Sequence, residues 1–449
     1  MKKIAVSSQK NGNNSFWKIK TYYFIFCKAC LSIFPLFASE KNPFWFDPNN
    51  YRGSDIERIN AALKDAGKCG GTVHIGKRRR KDGANRDFWL IDSAMLIYGN
   101  THLIIDNCTI KLSNTSRDNL LRSANCIPGS EVAYLKNIHI SGIGNAVLEG
   151  ADVPRSTGDS GKLLHNEEFT LQEVTSYGTD AGKSGESQTG DWRNIGILLV
   201  NVDGFTLERL TVRESHCWAV SLEYCTSGHI RDLHFFSTPF KQVNDKKEIV
   251  RNQDGLDLRR GCRNILIENI SGATGDDLVA LTAIATAERS AGLLQKTEFR
   301  GGDSNVSMGD VCNITIRNVQ GFSSGKNQII RFLNTGGVKM YNIILDGVID
   351  TSPPELRNRA TVRIGDNVAR WGGVTPLGDT FGFHISNIIS YAEKSVVIIG
   401  SLQDSIINNV SNFNSLTQPV LFESGKANVK NVIISNTVNS TIYSKQEVL

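Results

Sequence analysis

The sequence has little proline, few aromatic residues and, after its first 40 residues, no long apolar run. Ten prolines in 449 residues exclude a collagen-like or proline-rich chain. No later segment reaches the roughly 18 consecutive apolar residues that a membrane-spanning helix needs. A composition of 40% apolar and 21% charged residues also excludes wholesale disorder. The chain is therefore expected to fold as a globular protein.

The positive net charge is confined to the N-terminal leader. Residues 1–38 contain six lysines and no acidic residue, and the rest of the chain holds 44 basic against 45 acidic side chains. We therefore expect no nucleic-acid partner. A basic start followed by an apolar stretch is typical of an export signal, so we predict a signal peptide over 1–38. This implies a secreted or periplasmic protein without a membrane span after signal removal. A membrane anchor and an incorrect start site are the alternatives.

Nine cysteines, two of them in the leader, leave an odd number in the remainder of the chain. Their wide spacing does not suit a zinc site, so small buried apolar side chains are the main interpretation. One disulfide is the alternative. We predict no metal and no cofactor.

Residues from about 100 to the C-terminus repeat a turn residue followed by alternating apolar positions, as in 137–140, 264–267, 313–316 and 431–434. Anchors such as Phe205 and Ile230, Phe383 and Ile406, or Ile406 and Val432 recur at intervals of about 25 residues, within the range of solenoid repeats. Strand-sized repeats of this length bury their apolar face only by stacking on their neighbours. The pattern predicts an all-β parallel β-helix, a single domain over 39–449. Asparagines at strand ends suit the left-handed backbone of its corners.

Two further segments depart from the repeat. Residues 50–75 predict an N-terminal cap, with a capping box at Ser54 and Glu57 opening a helix that buries Ile56, Ile59 and Leu63 and stops at Gly67. Residues 150–194 lack periodicity and predict a long surface loop.

Acidic residues recur on two successive repeats. The spacing of Asp254 and Asp276 predicts equivalent positions one turn of the solenoid apart, here termed one coil, and Asp277 follows directly. Adjacent coils lie about 4.8 Å apart, so the three carboxylates should gather on an outer face, with Leu256, Leu258, Leu278 and Ala280 pointing inward. Clustered carboxylates raise one another's pKa, which suits the acid and base of glycoside hydrolysis. A calcium site or solvated turn residues are the alternatives.

The motifs around these aspartates resemble those of a known family. Asn252-Gln253-Asp254-Gly255 and Gly275-Asp276-Asp277 resemble signatures of glycoside hydrolase family 28, the polygalacturonases, and the resemblance covers roughly 45–370. It implies a right-handed parallel β-helix and hydrolysis with inversion. It also implies that Asp276 is the general acid, that Asp254 and Asp277 activate water, and that Asn252 orients the site.

The chain departs from this family at two positions. Ser304 stands where the family carries a histidine, and Arg331-Phe332-Leu333 retains the arginine of an Arg-x-Lys motif but loses the lysine. In the family, the basic pair recognises a uronic carboxylate. We therefore expect a divergent glycosidase acting on another pectic or related sugar, as a monomer, with Ser304 and Arg331 among the substrate-binding residues.

The expected alignment of residues on neighbouring coils suggests two more candidate substrate-binding residues. If Leu222 lies beside Leu258, His216 falls beside Asn252 and Trp218 beside Asp254, where Trp218 could stack on a sugar and His216 could bind one. Packing of both under loops is the alternative. Two other functions also fit the sequence, a polysaccharide lyase or epimerase on the same solenoid and a non-catalytic glycan-binding β-helix.

Overall fold

In a computed structural model, the described part of the chain consists mainly of β-strands. The structure describes residues 44–79, 85–86, 88–114, 116, 118–127, 132–152, 194–243, 245–250, 252–284, 309–414 and 416–440. The predicted leader, nearly all of the predicted 150–194 loop, and Ser304 lie outside these residues. Within them, no helix is long and apolar enough to cross a membrane.

Two sheets of parallel strands run the length of the solenoid. One, here called the site sheet, has ten strands: Met95–Ile97, Leu121–Ser123, Ile197–Val200, Val220–Glu223, Leu256–Arg259, Val279–Ala283, Gln328–Asn334, Ala360–Ile364, Lys394–Ile398 and Val420–Phe422. Each pairs with the strand of the next coil, for example Leu256 with Val279 and Val279 with Ile330. The predicted parallel β-helix is confirmed.

The second sheet is here called the long sheet, because most of its strands exceed eight residues. Its main strands are Thr72–Ile75, Thr101–Asp106, Leu135–Ile143, Val202–Arg213, Thr226–Phe236, Arg263–Thr274, Val311–Ser323, Met340–Asp350, Thr380–Ser390, Leu402–Asn412 and Val429–Asn439, and Phe88–Ile91, Thr109–Leu112 and Val147–Glu149 pair at its side. Inward side chains of both sheets form one apolar core that reaches from Ile56 to Val410. Burying that core is what stacks the coils.

Shorter elements complete the structure: strand Trp45–Phe46, the hairpins Arg78–Arg79 with Asn85–Arg86 and Phe240–Val243 with Lys246–Ile249, and the 3-10 turns Pro48–Asn50, Pro354–Leu356, Ala369–Trp371 and Lys426–Asn428. All seven described cysteines are free thiols, and all but Cys69 are buried. Among the described residues, the alternative of a disulfide is therefore not met.

The corner asparagines adopt the conformation expected of them. Asn264, Asn313 and Asn342 have φ angles of 56°, 55° and 55°, in the left-handed region that asparagine tolerates. Their side chains also form a ladder, since Nδ2 of Asn313 donates to Oδ1 of Asn264 at 2.9 Å and Nδ2 of Asn342 donates to Oδ1 of Asn313 at 2.9 Å. These three corners are thus bonded to one another across consecutive coils.

The spacing predicted from apolar anchors is shifted from the observed register. Phe205 pairs with Gly228 rather than with Ile230, which pairs with Leu207. A Cβ atom on Gly228 would lie 2.0 Å from the Phe205 ring, so the ring occupies the space that a side chain at Gly228 would need. Apolar residues alternate along each strand, so several pairings between coils fit the sequence equally well. Gly228 distinguishes them, because only a residue without a side chain leaves space for the Phe205 ring.

The predicted cap is present, with one correction. Helix Asp55–Cys69 begins at the Ser54 and Glu57 capping box and buries Ile56, Ile59 and Leu63 against the core. The helix does not stop at Gly67 but continues to Cys69, with Gly70 as its left-handed C-cap at φ 73°. A Cβ atom on Gly67 would lie 2.5 Å from Cβ of Tyr98, so Gly67 permits close packing.

Candidate active site

The candidate site forms where two successive coils enter the site sheet. Residues 252–255 lead into strand Leu256–Arg259, and residues 275–278 lead into strand Val279–Ala283. Leu256 pairs with Val279. Counted back from that pair, Asp254 is the neighbour of Asp277, and Gln253 is the neighbour of Asp276. The prediction that Asp254 and Asp276 hold equivalent positions is therefore wrong by a single position.

Three carboxylates meet at this point. Asp254, Asp276 and Asp277 each offer an oxygen, and these oxygens all lie within 4.8 Å of one another. Asp254 and Asp277 are 8% and 2% exposed, whereas Asp276 is more accessible. The backbone N–H of Asp277 donates to Oδ1 of Asp254 at 2.7 Å. Asp276 is thus the member of the cluster that faces solvent, and the other two lie beneath it.

Inward packing beneath these residues differs from expectation at one position. Leu256, Leu258 and Leu278 belong to the core, together with Val279 and Leu281. Ala280 is not part of that core. Leu278 and Val279 are consecutive core residues, so the alternation of inward and outward side chains shifts by one position between them. The register neighbours of Ala280 are Asp257 and Arg331, so it lies in the outward row of the sheet.

Burial and mutual repulsion favour the protonated forms of two of these carboxyls. Burial raises the pKa of Asp254 well above its ordinary value, and the charges of Asp257, Asp276 and Asp277 add to this. Burial also raises the pKa of Asp277, against the opposing effects of Arg331 and the backbone N–H of Gln328. A buried carboxyl next to other carboxyls retains a proton to higher pH than an isolated one. The cluster can therefore store a proton.

A charged chain extends from Asp277 across the next two coils. Nη1 of Arg331 lies 3.5 Å from Oδ2 of Asp277, and its Nη2 donates to Oδ2 of Asp366 at 3.2 Å. Nη2 of Arg363, the register partner of Arg331, donates to the same Asp366 oxygen at 2.6 Å. Asp366 is 1% exposed at its side chain. Arg331 is thereby fixed between two carboxylates and stabilises the ionised form of Asp277.

A cleft of about 810 Å³ opens above these residues, within the usual range for ligand sites. Asn252, Asp276 and Arg331 line it, together with Phe240 and Ile249 of the hairpin. Its other charged and aromatic lining residues are Lys326, Arg359, Arg363, Asp366 and Trp371. The cleft combines apolar side chains with convergent polar and charged groups, as ligand sites commonly do.

The sequence interpretation had not included Arg363, Asp366, Trp371 or the hairpin. Arg363, Asp366 and Trp371 come from a coil without the aspartate motif, and the hairpin is an insertion just before Asn252. One signal was available: Arg331 and Arg363 both stand second in an alternating apolar run, Ile330-Arg331-Phe332 and Val362-Arg363-Ile364. An arginine repeated at the same strand position indicates neighbouring outward side chains.

The predicted substrate-binding residues lie in different environments. Leu222 pairs with Leu258, which places His216 and Trp218 on the coil next to Asn252 and Asp254. His216 is 3% exposed, and its Nε2 lies 3.0 Å from the carbonyl oxygen of Ala151. This burial favours packing under a loop over contact with a sugar.

Trp218 is half-buried, and the guanidinium of Arg259 stacks over its ring, with Cζ 3.9 Å from the ring centroid. Trp218 also packs against a small apolar cluster that includes Leu198 and Val200. Leu333, which replaces the family lysine, is 5% exposed on the strand that carries Arg331. Arg331 therefore meets the cleft without a lysine beside it on the same strand.

The three carboxylates also form a possible cation site, because each offers an oxygen at mutual distances below 4.8 Å. Calcium takes about six to eight oxygen ligands. Arg331, whose Nη1 lies 3.5 Å from Asp277, supplies positive charge at this point. A resident metal is thus less suited to the cluster than protonation.

No protein-family model matches the chain, and no curated protein matches it. Among solved structures, the chain is similar to an endo-xylogalacturonan hydrolase from Aspergillus tubingensis, with 11% identity, a TM-score of 0.49 and coverage of 88% of this chain and 93% of that one. It is also similar to an exopolygalacturonase from Thermotoga maritima, with 16% identity, a TM-score of 0.46 and coverage of 87% and 91%.

A third similar structure is the tailspike protein of E. coli bacteriophage HK620 in complex with a pentasaccharide, with 13% identity, a TM-score of 0.46 and coverage of 87% of this chain and 60% of that one. At these identities, the similarity is one of fold alone.

Proposed function

We propose that this protein is an exported glycoside hydrolase that cleaves a glycosidic bond in a pectic or related polysaccharide or oligosaccharide. The observation that carries the proposal is the grouping of Asp254, Asp276 and Asp277 within 4.8 Å, with Asp276 lining a cleft. Glycoside hydrolysis uses one carboxylic acid and one carboxylate at the same bond. The motif resemblance to family 28 supports the same reaction.

The burial of the three groups suggests how the roles divide. Asp276 lines the cleft and is placed to give a proton to the leaving glycosidic oxygen. Asp254 and Asp277 are more deeply buried and would hold the water that attacks the anomeric carbon, accepting its proton. Arg331 would keep Asp277 ionised for this step, and Asn252 at the cleft wall would orient the sugar.

A proton held by the buried carboxyls is consistent with these roles of the three aspartates. The raised pKa of Asp254 favours retention of a proton among the coupled carboxyls of the free cluster. Binding of a sugar above Asp276 would remove water from that carboxyl and favour its protonated form. The proton would thus move to the group that donates it.

The stereochemical outcome is open to a direct test. The resemblance implies inversion, for which carboxyl groups typically lie about 6.5–9.5 Å apart, whereas about 5–5.5 Å is typical of retention. In this chain, one oxygen of each carboxyl lies within 4.8 Å of the others, which is less than the separation typical of inversion. Inversion therefore requires that the water sit beside the cluster, against Asp254 and Asp277. Proton NMR of the first anomer released distinguishes inversion from retention.

The proposal is tested by incubating the wild type and the Asp276→Asn variant with a panel of pectic and other uronate-containing glycans. We expect the wild type to release reducing ends from at least one glycan and the variant to lose about 10²-fold or more of that rate. Binding without release of reducing ends, equal in both proteins, would instead establish a non-catalytic glycan-binding solenoid. Chelator-sensitive activity with an absorbing unsaturated product would establish a lyase.

A further inference from the structure

More positively charged than negatively charged residues line the cleft. Four cations line it, Lys326, Arg331, Arg359 and Arg363, against the two carboxylates Asp276 and Asp366. Arg331 and Arg363 both bind Asp366, so their charge is largely compensated inside the protein. The remaining positive charge of the lining belongs to Lys326 and Arg359.

These two side chains are exposed. Within the described part of the chain, neither side chain makes a salt bridge or a hydrogen bond. Lys326 lies in the turn before strand Gln328–Asn334, and Arg359 directly precedes strand Ala360–Ile364. The backbone N–H of Arg359 donates to the carbonyl oxygen of Asn327 at 3.1 Å, so the two cations come from adjoining coils.

The register relates them to the aspartates. Val279 pairs with Ile330, and Gln328 pairs with Ala360. Counting back along these strands, Asp276, Asn327 and Arg359 hold equivalent positions on three consecutive coils. Since coils are spaced by about 4.8 Å, the backbone at Arg359 lies roughly 10 Å from that at Asp276. A sugar chain laid along the coils would place a ring next to the cleaved one beside Lys326 and Arg359.

We propose that Lys326 and Arg359 recognise an anionic substituent, a carboxylate or a sulfate, on the sugar adjoining the cleaved bond. The inference rests on the proposed glycan cleft and names two specificity-determining residues that the sequence motifs do not contain. Arg331 then serves as a positioning residue for Asp277. Arginine and lysine together suit a carboxylate or sulfate, because both anions accept charge-assisted hydrogen bonds from several donors.

The test measures binding rather than hydrolysis. Titration calorimetry uses protein carrying Asp276→Asn with three probes: tetragalacturonate, its methyl ester, and a sulfated galactan tetrasaccharide. In this background, the double substitution Lys326→Met and Arg359→Met should weaken binding of an anionic probe about tenfold and leave binding of the ester unchanged. Lys426→Met with Lys430→Met is the matched control, since both lysines are exposed near the last coil and the same charge is removed.

Each outcome is decisive. Loss of affinity for tetragalacturonate, or for the sulfated probe alone, confirms the anion site and identifies carboxylate or sulfate as its source. If neither anionic probe binds, or if the cleft double variant binds like the control, the inference is overturned. Binding that depends on Lys326 and Arg359, in a protein whose wild type hydrolyses nothing, would overturn the proposed function and leave this inference standing.

Discussion

The backbone N–H of Asp277 donates to Oδ1 of Asp254 at 2.7 Å, and the two residues are neighbours on consecutive coils. This bond supports a carboxyl that burial and three acidic neighbours push toward its protonated form. A stacked backbone thus holds together groups that repel one another when ionised. The arrangement lowers the stability of the folded protein, so substitutions within it should change the Tm measurably.

Asp254→Asn should stabilise the protein at neutral pH while reducing turnover about 10²-fold or more. The folded-state pKa of Asp254 is raised, so its contribution to stability is fully present below the unfolded pKa of about 3.9. That contribution is lost as pH rises through the folded pKa. Asparagine does not ionise and so avoids this loss of stability, and its side-chain oxygen can still accept the hydrogen bond from the backbone N–H of Asp277. We expect a Tm a few degrees above wild type at pH 7 and little difference at pH 3, measured by calorimetry.

Arg331→Met should move the acidic limb of the kcat/KM profile to higher pH. Arg331 lowers the pKa of Asp277 against the effect of burial, so its removal leaves Asp277 protonated over a wider range. Arg331→Lys keeps the charge and should restore much of the profile. A loss of activity that is equal at every pH would show that Arg331 does not act through Asp277.

His216→Ala should reduce the free energy of unfolding by about 1–3 kcal/mol, because it removes a buried hydrogen-bonding group. Turnover per folded molecule should stay near wild type, since Nε2 of His216 lies 3.0 Å from a backbone carbonyl oxygen. Urea unfolding and initial rates on the same preparation separate the two effects. Reduced kcat with unchanged stability would restore His216 as a sugar-binding residue.

Gly255→Ala should impair both stability and activity. A Cβ atom at this position would lie 2.5 Å from the carbonyl oxygen of Leu278, which belongs to the backbone and cannot rotate away. The coils of Asp254 and Asp277 would have to separate, at a cost of about 1–3 kcal/mol. Gly76→Ala is the glycine control, since Gly76 lies outside the left-handed region and the atom nearest the added Cβ is Cε1 of His74 at 3.5 Å, an ordinary contact. Equal behaviour of the two variants would contradict this account.

The fold and the aspartate cluster could be predicted from sequence because both depend on repetition. Turn asparagines such as Asn264 and Asn313 mark the corners, and two acidic motifs one coil apart identify the cluster. The register was missed by a single position, because Asp276 and Asp277 are adjacent and sequence alone does not say which of them neighbours Asp254.

The rest of the cleft could not be predicted for a different reason. Asp366 and Trp371 follow a strand whose sequence carries no acidic motif. The stretch of chain from Val279 to its partner Ile330 is also more than twice as long as the stretch from Leu256 to its partner Val279. Insertions between coils hide the period, and contacts across them depend on three-dimensional packing. The cations Lys326 and Arg359 have no sequence signature at all.

The asparagine ladder has a consequence for how this molecule can change length. The side-chain bonds of the ladder join equivalent positions of consecutive coils, so removing an entire turn beyond Ile398 would shorten the solenoid and leave the cleft residues Asp366 and Trp371 in place. Losing a single residue within strand Arg263–Thr274 would turn the following side chains of that strand to the opposite face and displace Asp276 and Asp277 from Asp254. Whole turns beyond the cleft can therefore be added or lost, but the number of residues in the turn that joins Asp254 to Asp277 is fixed.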